Sequence, residues 1–131
     1  MSEPVWLSID LIIDIHDEQL EQFGGPSGLR DRGLLESALA RPLNQYAYGK
    51  DDLAALAAAY GFGLAKNHSF VDGNKRTALL AIVTFLGLNG REFTASEAEA
   101  AVTMLGVASG EIDEEELARW IGANVIDSPA A

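Results

Sequence analysis

Apolar residues recur along this chain at helical spacing. From Ser8 to Phe23 the positions Ile9, Ile12, Ile13, Leu20 and Phe23 gather on one face. Ser8 is placed to cap that helix and Gly24-Gly25 to stop it. A loop rich in Gly, Pro and Ser, Gly24–Arg30, leads to a second helix over Asp31–Arg41, which Pro42 is expected to end. A third runs from Asp51 to about Asn67, and its alanines, with Gly61 and Gly63, suit close approach to another helix. After a turn at Asp72-Gly73-Asn74, the stretch Lys75–Leu88 is apolar almost all round, as befits the centre of a bundle, and Asn89-Gly90 closes it. Ser96 with Glu99, and Asp113 with Glu116, have the spacing of capping boxes and open a fifth and a sixth helix. No strand and no internal repeat is expected. The pattern predicts one all-α domain over residues 1–131, with its core at about 6–125 and a frayed tail at Asp127–Ala131.

Composition narrows the function. Apolar residues make up 48% of the 131, enough for a core without staples. Nine Lys and Arg face 20 Asp and Glu, a formal net charge of −11, so a broad nucleic-acid footprint is disfavoured and a ribonuclease fits poorly. With no cysteine there is no disulfide, thiolate nucleophile or Cys-based metal site. Met1–Val5 has no basic n-region, and the apolar run near Ala78–Leu88 is far short of a bilayer crossing. The expectation is a cytoplasmic protein with no membrane partner.

The candidate chemistry lies in His68-Ser69-Phe70-Val71-Asp72-Gly73-Asn74-Lys75-Arg76-Thr77. Lys75 and Arg76 fall in the first turn of the fourth helix, where a cation is unfavourable by roughly 0.3–1 kcal/mol unless an anion offsets it. Unpaired amides, a glycine permitting close approach and two cations describe a phosphate site. Asp72 is a carboxylate suited to Mg²⁺ on phosphate oxygens, and the His68 imidazole can accept a proton near neutral pH. Phe70 is expected to anchor the loop in the core. Base, metal ligand and phosphate cradle are the parts of transfer from a nucleotide to a hydroxyl. Taken singly, a histidine before a helix is often structural and a Lys-Arg pair merely solvated; the combination is harder to explain that way. Zinc fits badly, because Gly73 favours a turn and no third nitrogen or sulfur ligand is near. His16, on the stripe Ile9–Ile12–His16–Leu20, reads as a packed, hydrogen-bonded histidine at the core edge. Trp6 and Trp120 read as hydrophobic anchors, while Arg30 and Arg41 could pair with acids or line a surface.

The run H-S-F-V-D-G-N-K-R-T resembles the signature of Fic/Doc proteins, most closely the Doc (death-on-curing) toxins of bacterial toxin–antitoxin pairs. Ile15–Gly25, Gly28–Pro42, Asn89-Gly90 and Gly110–Ile112 are similar too. The resemblance implies a helical Fic-type fold, His68 as general base, Asp72 on Mg²⁺, and Gly73, Asn74 and Arg76 in the phosphate-binding loop. Most Fic enzymes transfer AMP and carry glycine and a second arginine where this chain has Lys75 and Leu79; Doc proteins share both departures. It therefore implies an ATP-dependent kinase acting on a threonine of elongation factor Tu, with Lys75 at the phosphates. It also implies a Phd-like antitoxin whose C-terminal segment folds on binding, since the cis inhibitory motif (S/T)-x-x-x-E-(G/N) is missing from the sequence. AMP transfer and a non-catalytic antitoxin- or nucleotide-binding module are the alternatives.

Overall fold

The computed structural model describes residues 3–129. Six helices follow in order: α1 (Ile9–Phe23), α2 (Arg32–Ala47), α3 (Leu53–Asn67), α4 (Asn74–Leu88), α5 (Glu97–Ser109) and α6 (Glu114–Ala123). The all-α reading holds. Five helices begin at a side-chain N-cap, where Ser8, Asp31, Asp52, Ser96 and Asp113 each accept from a first-turn amide. At Asp113 the reciprocal bond from Glu116 completes the box; at Ser96 only the first half forms.

The innermost helix is α3, which packs against α2, α4 and α6. Its small residues make this possible. A β-carbon on Gly61 would stand 2.5 Å from Ile82 Cδ1, and one on Gly63 would stand 3.2 Å from the Ala38 backbone. The expected central helix, α4, lies beside it with Ala78, Ala81, Ile82, Phe85 and Leu86 fully buried. Tyr60 is also buried in this core, and its hydroxyl accepts from the Leu7 amide at 3.0 Å. Burial raises its pKa above the ordinary 10.0. Trp6 stacks on Phe85 and Trp120 meets Phe93 edge-on, so both tryptophans anchor the core as read.

Three sequence expectations fail. Pro42 does not end α2: the helix continues to Ala47 because its last turn is held from outside. Gln45 and Arg41 both donate to Glu114 of α6, and Tyr46 packs edge-on against Trp6. A small antiparallel sheet exists, β1 (Arg91–Phe93) with β2 (Val125–Asp127), whose strands are too short to show an alternation. The tail is accordingly tied down at its start, where Asp127 pairs with Arg91 and the Ser128 amide donates to Gly90; residues 130–131 lie outside the described chain. Among the described residues no helix is long and apolar enough to cross a membrane.

Candidate active site

The ten-residue motif forms the α3–α4 junction. His68 ends α3 in the left-handed conformation (φ 51°, ψ 50°), the one such non-glycine among the described residues. Strain of this kind amounts to about 1–3 kcal/mol and persists only where surrounding contacts over-determine it. Here they do. Arg30 donates from Nε to the His68 carbonyl at 2.7 Å and from Nη2 to the Asn67 carbonyl at 3.3 Å. The amides of Arg30 and Asp31 both donate to the Ser69 carbonyl, and the Val71 amide donates to Gly28, closing a short bridge between Leu29 and Phe70.

Phe70 of the loop is buried in the core, at 2% exposure. Its backbone is braced by Asn74, whose side chain accepts from the Phe70 amide and donates to the Phe70 carbonyl at 3.0 and 2.9 Å. Asn74 thus spends its side chain inside the loop and offers a ligand its backbone amide. The ring of Phe70 stacks on His16 with centroids 3.8 Å apart, and His16 Nε2 donates to the Asp72 carbonyl at 2.7 Å. His16 is therefore the packed histidine the stripe indicated, but its partner is the candidate loop itself.

Helix α4 starts differently from the other five. Gly73 caps it in the left-handed region (φ 80°) with no side-chain bond. Among the described residues the amides of Asn74, Lys75 and Arg76 make no hydrogen bond; the first to do so is Thr77, to Gly73. They remain open to an anion. The Asp72 carboxylate is held beside them, with Oδ1 accepting from the Gly73 amide at 2.8 Å. Its other oxygen lies where a β-carbon on Gly25 would come within 2.8 Å, so this glycine gives the carboxylate its room. Sequence reasoning used Gly25 only as a helix stop.

These groups face an open cleft of about 570 Å³. His68, Asp72, Gly73, Lys75 and Arg76 form its polar side, and Leu79, Ala101, Met104 and Leu105 an apolar wall. Arg76 lies over the Phe23 ring, 4.4 Å from its centroid, while Lys75 stands exposed at the mouth. A larger cleft of about 1090 Å³ lies at the other end, rimmed by Arg41, Lys50, Arg91 and Arg119. It holds no motif residue, and three of its four cations pair with Glu114, Asp127 and Glu115. The motif residues gather at the smaller cleft.

No group of three or more His, Asp or Glu side chains is assembled for a metal among the described residues. A single placed carboxylate next to an amide cradle is instead what a phosphate-borne Mg²⁺ needs, because that ion takes one or two carboxylates and fills its shell with phosphate oxygens and water. The residues present fit a Mg²⁺-nucleotide.

The profile of the Fic/DOC family matches residues 6–86. "Protein kinase doc" of Escherichia phage P1 is 35% identical over 113 residues, covering 86% of this chain and 89% of that protein. "Toxin Doc" of Mycolicibacterium smegmatis is 50% identical over 76 residues, 56% of this chain and 58% of that protein.

Proposed function

Because the chain belongs to the Fic/DOC family, we propose that it is the toxin of a bacterial toxin–antitoxin pair, a Mg²⁺- and ATP-dependent kinase that phosphorylates a threonine of elongation factor Tu in the cytoplasm. The observation that carries this reading is that an imidazole, a carboxylate and an uncapped, cationic helix start line one cleft. In the reaction, His68 takes the proton of the target hydroxyl. The hydroxyl oxygen then forms a bond to the γ-phosphorus while the bridging bond to the β-phosphate breaks, and ADP leaves. The amides of Asn74, Lys75 and Arg76, with the two cationic side chains, hold phosphate oxygens. Asp72 would hold Mg²⁺, which when bound offsets phosphate charge.

Two features favour phosphoryl over AMP transfer. Lys75 brings a cation to the mouth where the AMP-transferring pattern has glycine, and Leu79 joins the apolar wall where that pattern has a second arginine. An antitoxin partner is in keeping with the surface: Leu105 of the apolar wall and its α5 neighbour Val102 are 56% and 69% exposed, a strip that a helix of a Phd-like antitoxin would cover. The acidity of the chain favours basic residues on that helix.

The test is incubation with Mg²⁺, elongation factor Tu and ATP labelled at the γ-phosphate or in the adenine, beside His68→Ala. Gamma label on the factor, reduced by about 10²–10⁴-fold in the variant, is expected. Adenine label would make the protein an AMP transferase. Nucleotide bound with no product, unaltered in the variant, would make it a binding module.

A further inference from the structure

His16 is 1% exposed and sits with Ile12 on the buried stripe of α1, where an apolar side chain is the usual occupant. Packing alone therefore does not account for an imidazole. What the imidazole adds is a donor, aimed at one carbonyl: Asp72, 56 residues away.

The position of that carbonyl gives the bond its meaning. Asp72 precedes the Gly73 cap of α4, and four residues beyond it comes Arg76. Were the Asp72 carbonyl to turn into the helix axis, it would accept from the Arg76 amide and α4 would wind back by one residue. The gain would be one more backbone bond and relief of the left-handed Gly73; the loss would be one of the three amides that face the cleft. In the structure the carbonyl instead points down to His16, and the Arg76 amide has no partner among the described residues. A β-carbon at Gly73 would stand in ordinary contact with the His16 ring, at 3.5 Å, so it is the left-handed φ of 80° that calls for glycine here.

We propose that His16 is a positioning residue of the candidate site: by engaging the Asp72 carbonyl it stops α4 from winding back, keeps the Arg76 amide open to a phosphate, and fixes the backbone from which the Asp72 carboxylate is presented. The proposal rests on the phosphate-binding reading of this cleft for its purpose, but its structural half is independent of any ligand. His16 touches no reacting atom; it acts through Asp72.

Two substitutions separate the donor from the packing. Gln at 16 can place an amide nitrogen near the position of Nε2, whereas Leu fills the space without a donor. Amide exchange at Lys75 and Arg76 is read without ligand, and affinity for a non-hydrolysable ATP analogue with Mg²⁺ is measured in parallel. In the parent the Arg76 amide exchanges fast. In His16→Leu it slows at least tenfold as it bonds to Asp72, and analogue affinity falls about 10- to 100-fold, the loss of one amide bond to a charged group. His16→Gln restores both, which a purely structural histidine would not allow. Fast Arg76 exchange in folded His16→Leu, or no recovery in folded His16→Gln, overturns the proposal. So does a protected Arg76 amide in the parent, a measurement that stands even if His16→Leu does not fold. A parent that binds no analogue would sink the proposed function, while the exchange data would still decide the role of His16.

Discussion

The starts of α4 and α6 are built to opposite rules. At α6, Asp113 accepts from the Glu116 amide at 2.8 Å, Glu116 returns a bond to the Asp113 amide at 3.2 Å, and three glutamates occupy the positive end of the dipole. Every local preference is met. At α4 there is no side-chain cap, the first three amides are unbonded, and Lys75 and Arg76 stand where acids belong. One helix start is completed by its own side chains; the other is left incomplete in a way that a bound phosphate would complete. An unfavourable choice repeated at one place, beside a neighbour that shows how the same problem is solved, marks a site more clearly than any single residue does.

The sharpest way to break the α4 arrangement is Gly73→Ala. The left-handed φ of 80° strains any β-carbon, by about 1–2 kcal/mol. Relief by rotation to the right-handed region would pull Asp72 from His16. The expected outcome is a fall of about that size in denaturant-measured stability, together with loss of nucleotide binding. Unchanged binding in a folded variant would show that the amide cradle does not depend on this turn.

Much of this was legible from sequence, and the limit is physical. Helix starts are local, so the caps at Ser8, Ser96 and Asp113 could be read from a few neighbours. The motif residues are contiguous, and their gathering on one loop followed directly. What stayed hidden depends on long-range contacts. Pro42 is a local stop signal overruled by Glu114, 69 residues from Gln45. The short sheet joins segments more than thirty residues apart through three residues each. Arg30, Gly25 and His16 all act on the motif from the first quarter of the chain. For His16 a signal did exist, a polar ring on an apolar stripe; the residue it serves could not be inferred from spacing.

At α6 the corresponding disruption is Asp113→Ala. It removes the side-chain acceptor of the Glu116 amide, leaves the backbone amide at 113 free to donate to Glu116, and lowers stability by about 1 kcal/mol, within the range for N-cap losses. Nucleotide affinity and phosphoryl transfer are expected to stay at the parent level, because the α6 start borders only the larger cleft. A matching loss of activity would mean that the two helix starts are coupled, and the contrast between them would lose its functional sense. Denaturant unfolding and the labelled-ATP assay, run on the same preparation, read both quantities.

The smallest effect is the most diagnostic, because it should change sign. Lys75→Ala removes a cation from the positive end of α4 and replaces an exposed side chain with the best helix former. Without ligand, the variant should be more stable than the parent by about 0.3–1 kcal/mol. Saturating Mg²⁺-nucleotide should reverse the order, since the parent then gains more from binding than the variant does. Thermal unfolding with and without nucleotide reads both states. A variant that is more stable in both would place Lys75 outside the phosphate site and weaken the kinase reading; one less stable in both would mean that the lysine has a structural partner. Only the crossing ties the unfavourable residue to the guest that makes it favourable.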